Sequence, residues 1–463
     1  MHQLYYQPHG FWFGDCMPFY HDGMFYLYHQ RDNRNPAPFG EPFGWALACT
    51  TDFVKYDDFG EVLPRGGDDA QDQFIFAGSV FEAQGMFYAF YTGYNRDYPK
   101  QGKASQVLMI ATSSDLINWE KTSEKLVIPQ TGYDPNDWRD PYVFWNPDGQ
   151  EYVMILGARK LDGQKVRTGC TVYFTSTDLK NWDFKGDFWA PKLFSMHEMP
   201  DTFKMGDTWY LLTTEYSDKC KTNYRMSTSL DGPWQAPVDD AFDSRAYYAA
   251  RSFSDGEKRY LFGWVPTKEN DDDLSNWQWG GTLVVHEVFQ REDKTLGVKA
   301  PEGVTNVFAH REQLIDTSVT LKSQDSCAET YLNKNTGDLF KFEVDIEFTP
   351  DTRAFGIRLF EDESSGDAYD FSFQIGENRV NFDRSPNQPW FRYMDKGLER
   401  PLQLEADRTY HIQIIVDDTI ATLYVDGVAL NTRMYTKTGQ ALAIYVVDGN
   451  LRLDNAVLET GLK

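Results

Sequence analysis

Only five of the 463 residues are cysteine (Cys16, Cys49, Cys170, Cys220, Cys327), and no two form a Cys-x-x-Cys pair. A disulfide framework and a thiolate zinc site are therefore not expected, and such sparse thiols suit a reducing compartment. Histidine is scarce too, eight in all with none at His-x-x-x-His spacing, so neither a metal nor another cofactor is expected. No apolar run approaches the length of a membrane helix, and amphipathic helical periodicity is absent. Basic residues number 45 against 70 acidic ones, a formal charge of -25. That charge repels nucleic acid phosphates and anionic lipid, so neither is an expected partner. Neutral small molecules and oligosaccharides remain open as substrates. The opening Met-His-Gln-Leu-Tyr-Tyr-Gln-Pro lacks the charged and apolar regions of a secretory signal, which points to the cytoplasm or to a leader already removed. The oligomeric state is not legible.

Aromatic residues are plentiful, at 16%, and they mark a repeat. Its unit is a strand reaching a Phe, a turn carrying Gly or Asp, and a second strand with a Tyr near its start. The copies run from Phe19 to Tyr26, Phe81 to Tyr88, Phe144 to Tyr152, Phe203 to Tyr210 and Phe253 to Tyr260. A second signature keeps step: Thr-Thr-Asp-Phe-Val-Lys-Tyr56, Ser-Ser-Asp-Leu-Ile-Asn-Trp119, Ser-Thr-Asp-Leu-Lys-Asn-Trp182 and a looser Ser-Thr-Ser-Leu-Asp-Gly-Pro-Trp234. Its short oxygen side chains can bond their own backbone, which predicts a turn. Five strand-rich units of this length predict an all-β, five-bladed β-propeller over residues 1–305. From about residue 320 to 463 the pattern becomes alternating strands, as in Phe340–Phe348, Tyr369–Ile375, His411–Val416 and Ala421–Val425. These predict a β-sandwich domain.

The innermost strand of each propeller blade lines the central channel, so residues at its start converge. Asp15 stands four before Phe19, Asp140 four before Phe144, and Glu198 five before Phe203, with Ala77 and Ala249 at the matching places in the other blades. Acids gathered on one axis repel one another, a cost that function rather than folding retains. Taken singly, each could be an ordinary turn acid. Two or three carboxylates around a cavity equip a site for glycoside hydrolysis: one attacks or activates water, another protonates the leaving oxygen. His21 and His29 read as turn and strand residues, and Cys16 as a packed strand residue or a reactive thiol.

Trp138-Arg-Asp-Pro141, His197-Glu-Met-Pro-Asp201 and Phe76-Ala-Gly-Ser79, with Tyr28-His-Gln30, Trp45, Tyr247-Tyr-Ala-Ala250, Leu261-Phe-Gly-Trp264 and Trp279-Gly-Gly281, resemble in order and spacing glycoside hydrolase family 32, the β-fructofuranosidase, invertase and inulinase group. The resemblance implies a retaining, cofactor-free enzyme cleaving β-fructofuranosidic bonds in sucrose, fructo-oligosaccharides or fructans. It implies Asp15 as nucleophile, Glu198 as general acid/base and Asp140 as the binder of fructosyl hydroxyls, with Gln30, Trp45, Phe76, Ser79 and Arg139 shaping the first subsite. Two motifs depart from the family. Its Asn-Asp-Pro-Asn-Gly stands here as Gly14-Asp15-Cys16-Met17-Pro18, and its fifth-blade Pro-Arg as His286-Glu287. The loss of a polar neighbour beside the nucleophile leaves fructosyl transfer, or action on difructose anhydrides, open beside hydrolysis. The related inverting arabinosidase and xylosidase propellers and a non-catalytic sugar-binding propeller are weaker alternatives.

Overall fold

The structure is a computed structural model that describes residues 2–35, 40–122, 124–163, 165–387 and 397–463. Five strands, Trp12–His21, Phe74–Ala83, Tyr133–Asn146, Glu198–Met205 and Tyr248–Ser254, each start a blade. Each packs against the next and the last against the first, closing a ring. The first three blades each have four antiparallel strands, and the fourth has three among the described residues. The first and fifth blades share one hydrogen-bonded sheet through the pairing of Phe13 with Gly281.

The repeat seen in the sequence is a cross-strand contact. Phe19 faces Tyr26, Phe81 faces Tyr88, Phe203 faces Tyr210 and Phe253 faces Tyr260. The third copy differs. Its turn is longer, so Phe144 faces Val153 and Trp145 takes the place opposite Tyr152. The Ser/Thr-x-Asp turns form as predicted. In the second blade Ser113 Oγ accepts from the Leu116 amide at 3.0 Å, and Asp115 Oδ1 accepts from the amides of Ile117 and Asn118 at 3.0 and 2.7 Å. The first and third blades repeat those bonds around Asp52 and Asp178. Short oxygen side chains hold the backbone so tightly that Phe53, Leu116 and Leu179 adopt positive φ.

All five inner strands carry a β-bulge at one level. The register breaks between Phe13 and Cys16, Phe76 and Gly78, Arg139 and Tyr142, Glu198 and Asp201, and Tyr248 and Arg251. A bulge re-aims adjacent side chains that a regular strand would send to opposite faces. Asp140, Met199 and Ala249, each four before its repeat Phe, have φ of 64°, 49° and 52°. Beneath the bulges the buried Arg251 guanidinium donates to the carbonyls of Gly78, Asp140 (3.3 Å) and Pro200 (3.1 Å). One cation thus gathers three blades.

After the fifth blade a short helix, Glu302–Thr305, leads into strand Phe308–Gln313. That strand already pairs with the last strand of the sandwich, Ala441–Leu462, so the sandwich takes in residues ahead of position 320. The 22-residue final strand pairs with four others, Phe308–Gln313, Val319–Asn333, Leu339–Phe348 and Ala354–Glu361. The two domains share buried polar contacts. Arg433 donates to the carbonyls of Val265 and Pro266 at 2.8 and 3.1 Å. His286 sits between Asp243 (2.9 Å) and the sandwich residue Tyr424 (2.8 Å). No helix is long and apolar enough to cross a membrane among the described residues.

Candidate active site

A cavity of about 500 Å³ opens at the bulged end of the ring, and Asp15, Asp140 and Glu198 all line it with Gln30, Phe76 and Arg139. Two of the subsite residues named from the sequence lie behind the wall. Trp45 is fully buried and donates its indole N–H to the Phe76 carbonyl at 3.0 Å. Ser79 is buried, and its Oγ accepts from the Val143 amide at 3.1 Å, tying the second blade to the third. Both support the cavity instead of facing it.

Asp15 accepts from the Trp264 indole N–H at 3.1 Å. Burial, reinforced by the neighbouring Asp140 and Glu198 carboxylates, pushes its carboxyl up to about 8. Asp140 accepts from the Met199 amide at 3.0 Å, and its own amide donates to Thr92 Oγ1 at 2.9 Å. Burial raises its carboxyl as well, with the Arg139 guanidinium opposing. Glu198 is held at both oxygens: Arg139 Nη2 donates to Oε1 at 2.8 Å, and Tyr248 Oη donates to Oε2. Burial works against the charge of Arg139, but Glu198, Asp140 and Asp137 outweigh it and hold the guanidinium protonated. Arg139 also donates to Asp137 at 2.8 Å, and its Nε lies 3.9 Å from Asp140 Oδ2, so one planar cation hydrogen-bonds two acids and pairs with a third.

Trp264 and Tyr248 are direct partners of the acids whose contact roles sequence reasoning did not name. Tyr248 stands five before Phe253, the register place of Glu198 in the fourth blade, so the repeat itself carried that signal. Phe43, Tyr94 and Trp279 also face the cavity. Only Trp279 belonged to a quoted motif, because neither Phe43, in a loop, nor Tyr94, at the end of strand Met86–Tyr94, bears a mark in the sequence of the direction it faces. No group of His, Cys, Asp and Glu among the described residues is placed to hold a metal ion.

Three converging carboxylates, one fork-donating arginine and aromatic walls around an open cavity are the equipment that glycoside cleavage on a propeller requires. Residues 5–299 match the glycosyl hydrolases family 32 N-terminal domain and residues 306–459 the glycosyl hydrolases family 32 C terminal. The chain belongs to glycosyl hydrolases family 32. It is 25% identical over 454 residues to a levanbiose-producing levanase of Bacillus subtilis (strain 168), covering 89% of this chain and 80% of that protein. A sucrose-6-phosphate hydrolase of Vibrio alginolyticus is 23% identical over 432 residues, covering 88% and 80% respectively. Among solved structures, a variant of fructan 1-exohydrolase IIa from Cichorium intybus in complex with 1-kestose superposes with a TM-score of 0.80. It covers 100% of this chain and 97% of that one, at 16% identity, a likeness of fold.

Proposed function

We propose that this chain is a retaining hydrolase of β-fructofuranosidic bonds in sucrose, fructo-oligosaccharides or fructans. The observation carrying this reading is the convergence of Asp15, Asp140 and Glu198 on one cavity with Arg139 between them. In the first step the Asp15 carboxylate attacks the anomeric C2 of the fructosyl unit. The C2–O glycosidic bond breaks, and Glu198 donates its proton to the departing oxygen. In the second step the Glu198 carboxylate takes a proton from water, whose oxygen attacks C2 and frees Asp15. Asp140 binds fructosyl hydroxyls and steadies the charge developing at C2. The names of the relatives, levanase and sucrose-6-phosphate hydrolase, support the fructosyl specificity. We place the enzyme in the cytoplasm, in keeping with five unpaired cysteines.

Hydrolysis of sucrose, inulin and levan, with the anomer of the first-formed fructose followed by NMR, tests the reading. Net retention supports it, whereas inversion or inertness toward all three overturns it. Oligosaccharides longer than the substrate would instead mark transfer from the same fructosyl-enzyme.

A phosphorylated fructoside is the second reading, favoured by Arg96. Its guanidinium stacks on Phe74 at 5.4 Å at the cavity mouth, pre-set to meet an anionic group. A kcat/KM at least tenfold higher for sucrose 6-phosphate than for sucrose, lost in Arg96→Ala, would establish it. Equal rates on both sugars would remove it.

A further inference from the structure

The third blade carries a second cavity, of about 510 Å³, whose charge runs against that of the chain. One wall is the hairpin between strands Glu151–Lys160 and Gly169–Ser176, and the other is the segment that runs from strand Asp183–Trp189 to Glu198. The pairing of Gly157 with Arg139, and of Lys160 with Tyr133, brings the hairpin out at the end of the ring where the catalytic cavity opens. The two walls meet closely at their base. The Gly169 amide donates to the Phe194 carbonyl at 2.9 Å, and a Cβ on Gly169 would lie 2.6 Å from the Met196 nitrogen.

Four cations, Lys160, Lys165, Arg167 and Lys192, line this groove against one carboxylate, Asp162. Lys160 pairs with Asp187, and Lys165 pairs with Asp162 at 3.0 Å. Arg167 reaches from one wall to the other, donating to the Leu193 carbonyl at 2.6 Å. Among the described residues, no acid lies within ion-pair distance of Arg167 or Lys192. The lysines converge on Asp162: the hydrogen bond from Lys165, and then the charges of Lys165, Lys192 and Lys160, hold its carboxyl below the ordinary range. Like charges gathered around one cavity repel one another, and in a chain of formal charge -25 composition does not force them together.

Arg159 divides the groove from the catalytic cavity. Its Nε donates to Thr168 Oγ1 at 3.3 Å on the groove side, and its Nη1 lies 3.5 Å from Asp137 Oδ2 on the cavity side.

We propose that this groove is a second ligand site, separate from the catalytic cavity, that binds a phosphate group, free or carried on a sugar. Arg167 presents a planar fork that matches phosphate oxygens, and Lys165 and Lys192 add point charges on flexible stems. Asp162 holds the place of the anion, since the lysines that close on its carboxylate can close on phosphate oxygens instead. Val166 and Ala190 give the groove an apolar flank, and its volume leaves room for a sugar ring beside the phosphate. The site goes beyond the glycosidase reading and stands or falls without it.

Calorimetry on the full chain with inorganic phosphate and with ribose 5-phosphate, neither of them a fructoside, tests the proposal. A single site should appear, weakened by added salt as exposed cations require. Lys165→Ala combined with Lys192→Ala should weaken binding at least tenfold. Asp162→Asn should tighten it at least threefold, because the competing carboxylate is gone. Arg96→Ala, at the mouth of the catalytic cavity, should change the affinity less than twofold. All four side chains are exposed, and melting temperatures check that each variant folds. Equal affinity for the two probes assigns the site to the phosphate group alone, and tighter binding of ribose 5-phosphate adds the sugar ring to what the groove reads. The proposal is overturned if the wild type binds neither probe, or if the double lysine variant binds both as the wild type does. Binding lost in Arg96→Ala but kept in the double lysine variant would put the anion in the catalytic cavity, and overturns it too.

Discussion

Arg139 and Glu198 occupy the same register place in adjacent blades, five residues before Phe144 and Phe203, and meet at 2.8 Å between Nη2 and Oε1. The bulges at this level turn both side chains into the cavity, so the acid/base candidate and its cation are products of one repeated backbone feature.

Replacing Arg139 by Lys should therefore be far from conservative. A lysine ammonium cannot bridge Glu198, Asp137 and Asp140 at once. We expect kcat/KM to fall by about 10²-fold or more, with a displaced pH profile, because the charge ordering three acids is lost. Unchanged pH limbs in the Lys variant would remove Arg139 from this role.

The pH dependence should follow Asp15. Its carboxyl must be ionised to attack, yet burial and the neighbouring acids raise it to about 8. The acid limb of kcat/KM, shared by the coupled carboxylates, should therefore lie well above the ordinary carboxylate range. Trp264→Phe deletes the hydrogen bond that favours the ionised form, so the limb should move to still higher pH. A limb near 4 that ignores this substitution would contradict the assignment.

Stability supplies an independent check on the same group. A carboxyl raised in the folded state contributes stability that is fully present below its unfolded value, near 3.8, and is lost as pH rises through about 8. Asp15→Asn has no such proton to lose. The melting temperature of the variant relative to the wild type should climb between about pH 4 and pH 8, as differential scanning calorimetry would show. A flat difference across that window would refute the raised carboxyl.

Kinetic division of labour separates the acids. Asp15→Asn removes the attacking charge and should cost on the order of 10⁴-fold or more on every fructoside. Glu198→Gln should cost about 10²- to 10⁴-fold on sucrose, but spare the glycosylation step of a fructosyl fluoride, whose leaving group needs no proton. Azide should then speed release in the Glu198 variant. Equal loss on sucrose and fluoride in that step would displace Glu198 as the proton donor.

Arg251 tests the architecture beneath the site. Arg251→Met strips three carbonyls in three blades of their donor. Each buried acceptor left unmet costs about 1–3 kcal/mol, so chemical denaturation should show a loss of several kcal/mol. A loss below about 1 kcal/mol would mean the blades are held apart from this residue.

The repeat, the turn signature and the alternating strands after residue 320 were legible in the chain because each depends on spacing and residue type within a short segment. Phe19 with Tyr26 is a hairpin pair, and Asp115 bonds amides two and three residues away. The three carboxylates were legible for the same reason, since register in a repeat is local. What only the tertiary structure decided is the direction each side chain faces across blades. Trp45 and Ser79 lie behind the cavity, while Tyr248 and Trp264 reach the acids from the fifth blade. Trp279 fills the space over Gly14 from more than half the chain away. Such contacts are set by ring closure and by where the bulges fall, and no local sequence pattern records which distant side chain will occupy the room that a glycine leaves.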